Sequence, residues 1–208
     1  MRGVYWIGGA PGAGKSTIAR RLADRYRLEL YDTDAAMPDH ARRSTATDAP
    51  YLGRFQAMGM DERWLTRSPE TMLETFHWFR GEGFGLIVED LLRFPAGTCV
   101  IAEGFRLLPH LVLPLLDDVN HAVWLLPTPA FRDVALQSRG SMWEIPDKTS
   151  DPARARLNLI ERDRMFTDRL TGEAERLGCR TLVLDVGTTE AEVADRVTRS
   201  FGLEPPDD

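Results

Sequence analysis

Gly9, Gly14, Lys15 and Ser16 stand in the order Gly-x-x-x-x-Gly-Lys-Ser, beginning nine residues into a 208-residue chain. An apolar run, Val4-Tyr5-Trp6-Ile7, precedes them, and a helix-like run from Thr17 to Ala23 follows. Between a strand and a helix N-terminus, such a loop turns its backbone N–H groups inward, where they can cradle the phosphates of a nucleotide. Gly9, Gly12 and Gly14 let the backbone approach an anion, with Ala13 and Thr17 adding loop and helix N–H donors. Lys15 is placed to reach the terminal phosphates and the Ser16 hydroxyl to ligate Mg²⁺. Lysine is scarce here, only Lys15 and Lys148 among 26 basic residues, so the match is not a product of composition. The loop predicts a nucleoside triphosphate site.

Two further carboxylate groups are candidates for chemistry. Leu30-Tyr31-Asp32-Thr33-Asp34 closes one apolar run, and Val100-Ile101-Ala102-Glu103-Gly104-Phe105-Arg106 closes another. A hydroxyl that attacks phosphorus must lose its proton, and a positioned carboxylate can take it. Both aspartates could instead terminate a strand or cap the segment that follows.

Elements that would position these groups follow from alternation of short apolar runs with helical stretches, the pattern of a parallel sheet covered on both faces. Strands are predicted at 4–7, 28–31, 98–102, 122–126 and 181–184. Helices are predicted near 15–26, 69–79, 84–93, 108–116, 129–138, 153–177 and 189–201. Residues 38–68 are polar, with Arg42, Arg43, Arg54, Arg63 and Arg67 among scattered aromatics, and 139–152 read as a mobile loop. Loops this long in a small α/β domain tend to carry function.

This arrangement resembles small-molecule kinases of the P-loop superfamily, in the neighbourhood of shikimate kinase, gluconate kinase and chloramphenicol phosphotransferase. The resemblance covers most of the chain in its order of elements, and its one highly specific motif is the phosphate loop. It implies a three-layer α/β fold with a five-stranded parallel sheet and helices on both faces. Within one kinase domain, 1–203, it implies a helical substrate-binding insert at about 35–95 and a lid at about 139–153. Residues 204–208 read as a disordered tail.

The resemblance also implies roles. Asp34 corresponds to the base or hydroxyl anchor and Asp32 to the carboxylate nearer the metal. Glu103 looks like a Walker-B carboxylate that holds a Mg²⁺-bound water or the substrate. Arg106 and Arg42 are candidates to face the acceptor. Kinases of this kind use lid arginines against transition-state charge, for which Arg139 is the first choice, with Arg154, Arg156, Arg162, Arg164 and Lys148 behind it. In those kinases adenine lies against the loop after the last strand, here Asp185-Val186-Gly187-Thr188, which makes Val186 and Thr188 its candidate contacts. Glu103-Gly104 departs from the Gly-rich turn of shikimate kinase at this point, which argues against shikimate as the acceptor and suits antibiotic phosphotransferases or toxin-like kinases equally well.

The expected activity is ATP- and Mg²⁺-dependent phosphorylation of a small-molecule hydroxyl. A nucleotide or nucleotide-sugar kinase and a non-catalytic NTP sensor are the alternatives. Absence of an Asn-Lys-x-Asp guanine motif favours ATP. A net charge of −6 argues against a broad nucleic-acid surface, and no apolar run suits a membrane, so a cytoplasmic protein is expected. Oligomeric state leaves no trace. Cys99 and Cys179 are expected as buried free thiols, and Asp163, set in the apolar stripe of the 153–177 helix, is expected to pair with an arginine. A pocket ringed by Tyr51, Phe55, Trp64 and Trp78 is one reading of the aromatics. Phe76, Phe79 and Phe84 have the spacing of helix-to-sheet packing.

Overall fold

Strand β1 (Val4–Gly9) sits at the centre of a five-stranded sheet. In the computed structural model, which describes residues 1, 3–138 and 144–204, the strand order is β2-β3-β1-β4-β5, with every neighbouring pair parallel. The other strands are β2 (Glu29–Asp32), β3 (Val100–Glu103), β4 (Ala122–Pro127) and β5 (Thr181–Leu184), within a few residues of the predicted runs.

Side chains alternate across each strand, and the two faces collect different helices. Ile7, Ile101, Val123 and Leu125 pack with α1 (Lys15–Tyr26) and α9 (Glu190–Phe201). Trp6, Val100, Ala102 and Trp124 pack on the other face with α5 (Phe84–Leu91) and α8 (Pro152–Arg176). The fold is therefore the expected three-layer α/β architecture of P-loop proteins. From β1 the chain crosses to β2 on one side of the sheet and from neighbouring β3 to β4 on the other, and ligands collect at the carboxyl ends of strands at such a switch point.

Between β2 and β3 the chain is largely helical. It forms α2 (Met37–Arg43), α3 (Pro50–Ala57), a π-helical turn (Glu62–Thr66) and α4 (Pro69–Thr75). The helix expected over 69–79 breaks at Phe76, where ψ swings to 111°, and resumes as a 3₁₀ turn, His77–Arg80. Gly81 closes that turn at φ 83°, where an added Cβ would meet Leu111 at 2.6 Å. The helix expected over 108–116 is a single turn, α6 (Pro109–Val112), before a 3₁₀ segment at Leu113–Leu115. α7 (Pro129–Ser138) leads out of β4. Both cysteines are free, but Cys99 is exposed and Cys179 half-buried, so the expectation of two buried thiols is corrected. No described helix is long and apolar enough to cross a membrane.

Candidate active site

Parallel pairing brings three strand ends level. Glu103 is the register partner of both Ile7 and Asp32, so the phosphate loop, the Asp-x-Asp pair and the β3 carboxylate share one edge of the sheet. Backbone bonds tie them: Thr33 N–H donates to the Glu103 carbonyl and Gly104 N–H to the Ile7 carbonyl. Gly104 has φ 147°, and a Cβ there would lie 1.7 Å from Thr33 Oγ1, so only glycine lets the strand ends close. In the loop, Gly12 and Gly14 have φ of 86° and 72° with open space on their Cβ side. They serve conformation and leave room for an anion. Gly9 instead answers to packing, since its Cβ would strike the Leu125 carbonyl oxygen at 2.3 Å.

Lys15 is buried and its Nζ donates to the Ala10 carbonyl at 2.9 Å. Glu103 is 1% exposed. Burial pushes its carboxyl pKa up, against the Ser16 hydroxyl that donates to it and the nearby Lys15 charge. Its Oε2 is buried without a hydrogen-bond partner. Asp34 is also shifted upward, chiefly by burial and then by the charge of Asp32, with Lys15 and Arg106 opposing. Asp32 caps the turn after β2, its Oδ1 accepting from Asp34 N–H at 2.9 Å and Ala35 N–H at 3.0 Å.

Lys15, Ser16 and Asp34 line a cavity of about 700 Å³. Phe55, Trp64, Phe76, Trp78, Phe79 and Phe105 line it too, with polar Gln56 and Asp163 among them. Phe76 and Phe79 thus face the cavity as well as the core, a correction to their reading as packing residues alone, whereas Phe84 is buried in the core as expected. Tyr51 is not on the wall; its ring carries Arg80 at 4.1 Å and Arg54 at 5.2 Å. A smaller cavity of about 280 Å³ opens on the far side of the loop, between Gly12, Thr17, Ile18, Phe131, Leu184 and Thr188. Ala13 and Gly14 border it too, but the Val186 side chain is exposed and lies off its wall.

Several expected contacts are relocated. Arg42 pairs with Asp39 at 3.0 Å on the surface, with 72% of its side chain exposed, and does not reach the cavity. Arg43 is held by Asp39, Glu89 and Asp90. Arg106 is not at the acceptor face either: it is 1% exposed, donates to the Thr33 and Gly83 carbonyls, and stacks over Trp78 at 4.0 Å. Burial lowers its pKa to about 10, opposed by Tyr31, Asp34 and Asp90. Arg139 lies outside the described residues. Arg154 and Lys148 are exposed, Arg156 faces Asp147 at 3.8 Å, and Arg164 is occupied by Glu161 and Asp168. Of the candidate arginines on α8, Arg162 is the one on the cavity wall, paired at 2.6 Å with Asp163, the expected arginine–carboxylate pair. His77 and Arg63, which no motif singles out, are also on the wall. Burial, then Arg106 and Arg63, hold the His77 pKa down to about 3, so its ring is neutral.

A family model described as shikimate kinase matches residues 11–48. The shikimate kinase of Rhodococcus jostii (strain RHA1) is 58% identical over 38 residues, which is 18% of this chain and 23% of that protein. The shikimate kinase of Colwellia psychrerythraea (strain 34H) is 28% identical over 168 residues, covering 80% of this chain and 83% of its own length. The chain thus spans under a quarter of the first relative's length and most of the second's. Among solved structures, an uncharacterized protein from Eubacterium ventriosum is similar in fold, with a TM-score of 0.52, 12% identity, and coverage of 97% of this chain and 99% of that one. Sheet order and phosphate loop together give this chain the P-loop fold, and the curated relatives it resembles are shikimate kinases.

Proposed function

We propose that the protein is an ATP- and Mg²⁺-dependent phosphotransferase that moves the γ-phosphoryl group of ATP to a hydroxyl of a small molecule. The observation that supports this most strongly is the position of Asp34. It lines the same cavity as Lys15, Ser16 and a group of aromatic rings, a space large enough for an acceptor. The proposal takes residues 1–203 as one cytoplasmic kinase domain, with the segment between β2 and β3 as acceptor insert.

The smaller cavity, with Thr17 and Thr188 beside apolar Ile18, Phe131 and Leu184, suits the adenine end. From there the phosphates run along the N–H groups of residues 12–17 toward Lys15. Two oxygens suit a hard dication, the Ser16 hydroxyl and the unpartnered Glu103 Oε2. Among the described residues no cluster of three or more His, Cys, Asp or Glu could hold a metal alone. Ser16 and Glu103 would hold Mg²⁺ only together with the phosphates, whose charge the ion would offset. Asp32, expected nearer the metal, has its Oδ1 engaged by the Asp34 and Ala35 N–H groups.

In the reaction the acceptor oxygen bonds to the γ-phosphorus, the bond to the β-phosphate oxygen breaks, and the hydroxyl proton passes to Asp34. Burial raises the Asp34 pKa, bringing it nearer the working pH of a proton acceptor. Lys15 leaves the Ala10 carbonyl for the phosphates. A lid arginine, Arg139 by preference, would complete the charge neutralisation.

A nucleotide kinase would need cations for an acceptor phosphate. Arg42, Arg43 and Arg54 are engaged elsewhere, which lowers support for that alternative. Shikimate, named in the relatives, belongs in any acceptor panel. The test is incubation with γ-labelled ATP, Mg²⁺ and a panel of hydroxylated metabolites, with Lys15→Ala as control. Label on a new small molecule is expected. ATP hydrolysis that no acceptor stimulates would refute the proposal.

A further inference from the structure

Two segments that line the large cavity are joined by one carboxylate. Asp61 stands at the head of the π-helical turn Glu62–Thr66, which brings Arg63 and Trp64 to the cavity. Its Oδ1 accepts from Ser150 N–H at 2.7 Å and its Oδ2 from the Ser150 hydroxyl at 2.6 Å. Ser150 ends a short stretch, residues 144–150, whose Ile145 lines the same cavity. Among the described residues no other hydrogen bond joins this stretch to the insert between β2 and β3.

The stretch is tied to itself tightly enough to carry that hold to Ile145. Thr149 is buried, and its N–H and hydroxyl both donate to the Pro146 carbonyl, at 2.9 and 2.6 Å. Lys148 N–H donates to the Ile145 carbonyl at 3.1 Å, and the Pro146 ring fixes its own φ. Directly after Ser150, Asp151 caps α8 by accepting from Arg154 N–H at 3.0 Å. From α8, Ala155 and Leu159 pack with Trp64, and Asn158 Nδ2 donates to the Leu65 carbonyl at 2.9 Å. Those contacts secure the π-turn to α8; the Asp61 clasp secures the 144–150 stretch to the π-turn. Two donors on one carboxylate make a charge-assisted hold that fixes orientation as well as distance.

We infer that Asp61 is a positioning residue of the acceptor cavity. Through Ser150 it holds Ile145 in register with Arg63 and Trp64, so that the three form one wall that moves as a unit. That the occupant is an acceptor rests on the kinase reading above; the clasp does not. An occupant that touches both parts of the wall and the clasp that joins them strengthen each other.

Lysine scarcity supplies the first readout. Lys15 is buried, and Lys148 is exposed within the 144–150 stretch, so the lysine-specific protease Lys-C reads the opening of that stretch by cutting after Lys148. Asp61→Ala should speed the cut about tenfold, and Ser150→Ala, which keeps the N–H bond, about threefold. Asp61→Asn can still accept from the N–H and donate to the hydroxyl, and should restore most of the protection. The second readout is the Ile145 δ1-methyl NMR signal. It should shift in Asp61→Ala and return in Asp61→Asn, while the signals of buried Ile7, Ile18 and Ile101 stay in place. Unchanged cutting, or an unmoved Ile145 signal, in Asp61→Ala overturns the inference. So does a shift of the buried isoleucines along with Ile145, which would mark general loosening. In the labelled-ATP panel Asp61→Ala should raise the KM of whichever compound takes label several-fold and leave the KM for ATP unchanged. An unchanged acceptor KM overturns the positioning role. No label on any compound, with both clasp readouts as expected, removes the kinase reading and leaves the wall.

Discussion

The phosphate loop on the large cavity is one continuous stretch, whereas the aromatic lining is gathered from several separate ones. Residues 9–17 pass from β1 into α1 with backbone geometry set by glycines at fixed positions, and their chemistry lies largely in main-chain N–H groups. Across the cavity, Phe55 comes from α3, Trp64 from a π-turn, Trp78 from a 3₁₀ turn and Arg162 from α8. The first side is suited to a ligand part that never changes, the phosphates. The second is an assembly of side chains, and its shape can vary with each substitution. A P-loop kinase can therefore keep its nucleotide chemistry while its acceptor diverges.

Substitutions on the two sides should fail differently. Lys15→Ala should lose most phosphoryl transfer, roughly 1000-fold, since it removes the one flexible cation of the loop; labelled-ATP assays would show it, and near-normal activity would break the assignment. Asp34→Asn should keep ATP affinity while lowering turnover by about 100-fold. The same variant has a pH signature. Native Asp34 holds its proton to higher pH than the unfolded chain does, so that group's contribution to stability falls as pH rises from the ordinary carboxylate range through its raised pKa. The asparagine variant lacks that fall. Melting curves should show it gaining on the native protein as pH rises toward neutrality, and parallel curves would place Asp34 in a more solvated setting.

Gly104→Ala touches neither ligand, yet it should destabilise the fold by about 3 kcal/mol, through a clash with Thr33 and a positive φ. Urea unfolding measures this directly. Arg42→Ala should be nearly silent, within about 0.5 kcal/mol and with unchanged KM, because its ion pair with Asp39 is exposed. A clear rise in KM would return Arg42 to the acceptor site.

The same contrast explains what the sequence made legible. A phosphate loop needs glycines and a lysine at set intervals, so adjacency in the chain is adjacency in space. β-strand runs were readable for a similar reason, since Val4 to Ile7 and Val100 to Ala102 are short, apolar and bounded. The acceptor wall had no such signal. His77 and Arg63 fit no motif, and the break at Phe76, ahead of a 3₁₀ turn that Gly81 closes, interrupts a stretch whose spacing reads as one helix. Arg106 was legible as a charged residue beside a strand end, but its direction was not. Its partners, the Thr33 and Gly83 carbonyls and the Trp78 ring, are distant in sequence.

That arginine has an evolutionary consequence. One guanidinium clamps the carbonyl next to Asp34 on one side and supports a ring of the acceptor wall on the other. Repacking Trp78 to admit a different alcohol would therefore shift Asp34, the proposed proton acceptor, too. New specificity in this protein should arise first at Phe55 and Trp64, which are free of that clamp, and changes at Trp78 should arrive only with compensation at Arg106.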